Sequence, residues 1–183
     1  MVAPVTWRAS GTYLGALVHS VHKLGYVELV RSRVDVATQE MLRAPSANTW
    51  WPGERLLSCL VALEEARGPA VVREVSIDLS RERMGPLVRP LASVVLMFTR
   101  SPLAALLSRV QTFISSGIHG IDARFVPTHS GAGSVIFTFP EPVPAVMGEV
   151  WAGVFDVGFS LAREGRIVGQ RFEPTVHRVD LAW

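Results

Sequence analysis

Leu14, Leu17, Val18, Val21 and Leu24 recur at the three-to-four-residue spacing of one helix face, and Gly25 stands where a left-handed cap ends such a helix. A second stretch, 28–43, places Val30, Val34, Ala37 and Met41 on one side and stops ahead of Pro45. Pro52 suits the first helical position, where its missing N–H would be unsatisfied anyway, and Trp51-Pro52 opens a run with Leu56, Leu57, Leu60, Val61 and Leu63 facing inward. Gly68-Pro69 ends it. The segment 70–83 reads as a further helix, although Val71, Val72, Val75 and Ile77 leave a strand open.

Two proline-opened helices are expected next. One begins at Pro86 or Pro90 and reaches Arg100; the other covers 102–115, with Ser101 as N-cap. Leu103, Leu106, Leu107, Val110, Phe113 and Ile114 make the second apolar enough to predict a central buried helix. After Gly117 the period changes to two. Ile121, Ala123 and Phe125 alternate with polar neighbours, and past Ser130-Gly-Ala-Gly133 so do Val135, Phe137 and Phe139, which predicts a hairpin closed by Pro140, Pro142 and Pro144. Val146, Val150, Val154, Val157 and Leu161 return to helical spacing, widened by Trp151 and Phe155, until Gly165. A second hairpin follows over 166–183, broken near Pro174. The fold class is α+β: an N-terminal helical bundle (1–116) packed on a C-terminal four-stranded antiparallel sheet (117–183) in the order hairpin, helix, hairpin, as one domain.

Composition narrows the role more than it names one. Of 183 residues, 49% are apolar and 19% charged, which excludes a mostly disordered chain. The single cysteine, Cys59, excludes an internal disulfide and a cysteine-rich zinc site, and it sits in an apolar stripe as a buried inert thiol. Eighteen basic against sixteen acidic side chains leave +2, too balanced to argue for nucleic acid. Seventeen of the basic residues are Arg and only Lys23 is lysine, which reflects either forked hydrogen bonding or an arginine-favouring coding background. No secretory signal is visible in the first residues, and the longest near-apolar stretch, 91–98, is well short of the ~20 residues a membrane span needs. A cytoplasmic protein without nucleic-acid or membrane partners is expected.

The order of elements resembles the architecture shared by 4-vinyl reductase domains, haem-nitric-oxide/oxygen-binding domains and TRAPP vesicle-tethering subunits. More closely, the chain resembles an uncharacterised paralogous family of myxobacterial proteins, through Trp51-Pro52, Arg100-Ser101-Pro102-Leu103, Phe137-Thr-Phe139-Pro140 and the terminal Asp180-Leu-Ala-Trp183. The resemblance implies an effector-binding regulatory module or an assembly subunit. The haem-binding relatives imply an axial His, Cys, Tyr or Met and a Tyr-x-Ser-x-Arg motif. The segment 102–115 contains none of those four residue types, and neither Tyr13 nor Tyr26 begins the motif, so no haem and no other cofactor is expected.

The remaining candidates are few. His19 and His22 stand three apart without a further ligand within a turn. His119, Asp122 and His129 flank the first strand and offer a metal triad or an acid–base set, provided that they converge. Gly131-Ala-Gly133-Ser134 is a hairpin turn rather than a nucleophile elbow or dinucleotide loop. Trp50-Trp51 either lines a pocket or staples the helix that follows. Arg124, Arg171 and Arg178 are predicted to share one sheet face as an anion or partner contact, with Asp122, Glu173 and Asp180 interleaved as ion-pair partners. The reading is a non-enzymatic regulatory or sensory module that binds a small apolar ligand or a protein partner, with Trp50, Trp51, Phe113, Trp151 and Phe155 as contacts. Its alternatives are a subunit acting through homodimerisation and an enzyme or metal protein built on His119, Asp122 and His129.

Overall fold

The computed structural model of the chain describes residues 7–98 and 101–183, and the side chains of 84–98 lie outside that description. The fold is α+β with two antiparallel sheets. Strand β1 (Arg8–Ser10) leads into α1 (Gly11–Lys23), where the Ser10 hydroxyl accepts from the Tyr13 N–H at 3.1 Å and Gly25 leaves the helix at φ +78°. The expected single helix over 28–43 is two, α2 (Val27–Arg31) and α3 (Val36–Arg43). Asp35 is the reason: its carboxylate accepts from the Thr38 N–H at 2.6 Å and so starts a new helix instead of continuing the old one. The Trp50-Trp51 pair lies in a strand, β2 (Trp50–Pro52), paired with β1. Helix α4 (Gly53–Arg67) begins one residue later than expected. A Cβ at Gly53 would fall on the buried Trp7 indole.

Helix α5 (Pro69–Phe98) settles the strand-or-helix ambiguity of 70–83 as helix and runs on through Pro86 and Pro90, where a new helix was expected. An interior proline costs a helix about 3 kcal/mol without forbidding it, and α5 is held along its length by α1, α4 and a later helix, α8. Arg100, the expected end of the second helix, lies outside the described residues. The predicted buried helix over 102–115 is also two, α6 (Pro102–Leu107) and α7 (Val110–Ser115). At the break, the Ser108 hydroxyl donates to the Ala105 carbonyl at 2.8 Å. Ser101 caps α6 as expected. Neither helix is central, since only Leu103 and Leu107 are buried and no residue of α7 is.

A two-residue strand, β3 (Ile118–His119), pairs with the far side of β1 to complete a sheet in the order β2-β1-β3. Then come β4 (Asp122–His129), β5 (Ala132–Thr138), α8 (Met147–Ala162), β6 (Arg166–Glu173) and β7 (Val176–Ala182), whose sheet order is β4-β5-β7-β6. Both predicted hairpins and the helix between them are therefore present, joined by the central β5–β7 pair. Ala123, Val135, Phe137, Val179 and Leu181 form its buried face. Phe137 lies flat on Trp151 of α8, with ring centroids 4.0 Å apart and planes 4° from parallel. The helical part meets this sheet through α7, which packs on β4, and through α8, which packs on β6 and, against the helices, on α5.

The α5–α8 crossing is close because Gly153 has no side chain. A Cβ there would lie 2.7 Å from the Ser76 Cβ and 2.9 Å from the Arg73 carbonyl oxygen. One turn on, Arg73 grips Asp156 through two hydrogen bonds of 2.8 and 2.9 Å. Gly158, on the same helix, has nothing within 4 Å of its would-be Cβ. Gly153→Ala should therefore lower stability by about 1–3 kcal/mol through overpacking. Gly158→Ala should raise it by up to ~1 kcal/mol. Paired urea titrations measure both, and equal effects at the two positions would contradict the close crossing.

Candidate functional site

Two apolar cavities of about 80 Å³ each lie where α6 and α7 bridge across α8. The first is walled by Tyr13 of α1, Leu79 and Arg83 of α5, Phe113 and Ile114 of α7 and Trp151 of α8. The second is walled by Leu103, Leu107 and Val110 on one side and Phe137, Phe155 and Leu161 on the other, and is almost wholly carbon. Phe113, Ile114 and Val154 line both, so the two cavities adjoin across a shared wall and make up two lobes of one candidate site. This explains why Leu106, Val110, Phe113 and Ile114 are only half-buried although strongly apolar: beneath them is space rather than core.

The bridge is held at its start and at the beginning of its second helix. Glu164, beyond α8, accepts from the Leu103 N–H at 3.0 Å and from the Ser101 hydroxyl at 3.4 Å. Gln111 donates to the Ile121 carbonyl at 3.3 Å and accepts from the Ala123 N–H of β4. Its polar groups gather in the first lobe. The Arg83 guanidinium carbon stands 5.0 Å from the Tyr13 ring centroid, and one of its N–H groups donates to the Ser116 carbonyl at 3.4 Å. A Cβ on Gly117 would collide with that guanidinium, so the glycine makes the space for it. Burial pushes the Tyr13 pKa up, with Arg83 opposing, and burial pulls the Arg83 pKa down, with Tyr13 opposing.

The residues singled out from sequence fall in several places. Phe113 lines both lobes, Trp151 the first and Phe155 the second. Trp50 and Trp51 line neither. Trp50 stacks on His119 at 3.7 Å, across the small sheet. Asp122 and His129 stand at opposite ends of β4, on the order of 20 Å apart at the rise of a strand, so the His119, Asp122, His129 set does not converge. Among the described residues no three His, Cys, Asp or Glu side chains gather as a metal site.

Arg124, Arg171 and Arg178 share one cross-strand row with Ile136 on the exposed sheet face, because Arg124 faces Ile136, Ile136 faces Arg178 and Arg178 faces Arg171. Arg178 is spent on Asp180 at 2.7 Å, which also accepts from the Ser134 hydroxyl at 2.6 Å. Hydrogen bonding from Ser134 and the nearby arginines hold the Asp180 carboxyl below its usual range. Cys59 is buried, and that burial pushes its thiol up to about 12. Tyr13 and Arg83 were not legible as site residues. The available signal was an arginine four residues past Leu79, on the apolar stripe of α5.

No protein-family model and no curated protein matches the sequence. The fold, however, is that of H-NOX domains, the haem nitric oxide/oxygen-binding class. The chain is similar to a crystal structure of an Fe(II) unliganded H-NOX protein mutant from K. algicida, with a TM-score of 0.68 and 10% identity over 94% of this chain and 95% of that one. It is similar also to an oxygen-binding H-NOX domain related to soluble guanylate cyclases, with a TM-score of 0.57 and 11% identity over 94% and 92% of the two chains. At such identities the likeness concerns the fold.

The described residues of the site do not fit a haem. Among the described residues lining the two lobes there is no His, Cys or Met. Tyr13 is the one residue among them of an axial-ligand type, and its raised pKa opposes the phenolate that would bind iron. The buried imidazole of His177 lies elsewhere, on the sheet between the Phe139 and Phe172 rings at centroid distances of 5.0 and 4.9 Å.

His177 gives the molecule an acid-sensitive point. It is 1% exposed, its Nδ1 has no hydrogen-bond partner among the described residues, and burial lowers its pKa below 6.5. The unfolded chain therefore binds the proton more readily, so stability is full above about pH 6.5 and falls as pH drops through that value towards the depressed folded pKa. His177→Phe should lose less stability than wild type between pH 7.5 and pH 5 in chemical denaturation. Parallel curves for the two proteins would contradict this assignment.

Proposed function

We propose that the chain is a non-enzymatic sensory or regulatory module whose effector is a small, largely apolar molecule held under the α6–α7 bridge. One observation carries the reading: a two-lobed cavity lies beneath a strip of half-buried Leu, Val, Phe and Ile residues anchored at Leu103 and Gln111. Sites of this kind are concave, mostly carbon and marked by a few convergent polar groups, here Arg83 and Tyr13. Fold likeness to domains described as oxygen-binding supports a sensory role by analogy. On this reading the chain belongs with the paralogous myxobacterial proteins and, more distantly, with the 4-vinyl reductase modules, and it works in the cytoplasm. Among the described residues, no helix is long and apolar enough to cross a membrane.

A second reading, assembly through a homodimer, is favoured by one feature. Strand β6 is an edge of the four-stranded sheet and carries Val168 at 55% exposure. Light scattering that shows a monomer at high protein concentration would count against it.

The ligand reading is tested with benzene, a neutral apolar probe small enough for one lobe. At ten times its Kd it should raise the melting temperature by roughly 3–6 °C. Val154→Trp, which fills the wall common to both lobes, should abolish the rise while the variant stays folded by circular dichroism. No rise in wild type up to the solubility limit of benzene would defeat the reading.

A further inference from the structure

The two lobes differ in chemistry. The second offers carbon alone, whereas the first ends at a guanidinium, a phenol and the hydroxyl of Ser80. Elsewhere the half-covered arginines are matched with carboxylates, Arg55 with Asp35 at 2.7 Å and Arg73 with Asp156 at 2.8 Å. Arg83 has no carboxylate partner among the described side chains. It spends one N–H on a long 3.4 Å contact with a carbonyl and lies over the Tyr13 ring. A partly desolvated guanidinium with N–H groups unmatched among the described residues, beside an apolar cavity, is matched by a planar anion with two acceptor oxygens.

We propose that the cavity binds a medium-chain carboxylate, with its headgroup on Arg83 and Tyr13 and its acyl chain running past Phe113, Ile114 and Val154 into the carbon-lined lobe. This rests on the small-ligand reading and adds to it the class and direction of the ligand. Direction follows because the second lobe has nothing to pair with an anion. Tyr13 suits the headgroup end because its raised pKa keeps it a phenol, a donor to the carboxylate rather than a second negative charge. Gly117 leaves the guanidinium its place. Length follows from volume: at about 10–15 Å³ per water-sized position, each lobe takes roughly six non-hydrogen atoms. Together they suit an acid of about a dozen, which is decanoate.

The test is calorimetric titration of the full chain with decanoate, decan-1-ol and decyl phosphate, each below its aggregation limit, and with the hexanoate-to-dodecanoate series. Decanoate should bind at least about tenfold more tightly than decan-1-ol. Affinity should rise up to about fourfold per added methylene and level off near ten carbons. Arg83→Gln should bring the acid-to-alcohol ratio close to one, and Tyr13→Phe should lower it in part. Leu161→Phe, which shortens the far lobe without touching the headgroup, should move the best acid from decanoate towards octanoate. Equal binding of decanoate and decan-1-ol, with benzene still bound, overturns the carboxylate proposal and leaves the apolar-ligand reading standing. Failure of all three, benzene included, defeats both. Tighter binding of decyl phosphate than of decanoate overturns the carboxylate assignment in favour of a phosphoryl headgroup.

Discussion

The approach of α5 to α8 at Gly153 governs the rest of this molecule. With a hydrogen in place of a side chain, the α8 backbone comes within van der Waals range of the Arg73 carbonyl and the Ser76 side chain on α5. That crossing fixes where the neighbouring turns lie. Leu79 and Arg83 follow Ser76 by about one and two turns on α5, while Trp151 and Val154 flank Gly153 on α8. The four meet around the first lobe because the helices are close where they cross. The Arg73–Asp156 pair adds direction to a contact that packing alone would leave free to slide.

On its other face α8 is set by aromatic rings. Phe137 lies on Trp151, and Phe155 stands 6.3 Å from Phe137 and 6.1 Å from Phe159. The indole N–H groups of Trp7, Trp51 and Trp151 are all buried without partners among the described residues. Each forgoes a hydrogen bond, at a cost of about 1–3 kcal/mol, so these rings are retained for their carbon volume. Large flat side chains brace the walls of the two cavities with few rotatable bonds.

The hairpins and the helix between them were legible from residues 117–183 because period-two alternation and the three prolines after Phe139 admit few alternatives. Helix ends were less legible. Asp35 and Ser108 each redirect a backbone hydrogen bond and so break a helix that apolar periodicity would continue, whereas Pro86 and Pro90 sit inside a helix that their chemistry argues against. The strands of the small sheet are two or three residues long, too short for any period, and their partners are distant in sequence. Of the site, the apolar wall was readable in Phe113, Trp151 and Phe155. The polar end was not, because Tyr13 and Arg83 stand 70 residues apart and only the α1–α5 packing brings them together. The row of Arg124, Arg171 and Arg178 followed directly from strand register, although register alone left open that Asp180 engages Arg178.

The α6–α7 strip resembles a plank resting on two abutments. Glu164 fastens its beginning to the end of α8, and Gln111, the second residue of α7, fastens it to the start of β4. Between them, at Ser108 and Arg109, the helix is already interrupted and both residues are exposed. A change in the volume beneath Leu106 and Val110 would therefore be felt first at that joint, while Phe113 and Ile114 lie beyond the second support. The outer surface of the plank would then be where the filling of the interior becomes visible to a neighbouring molecule.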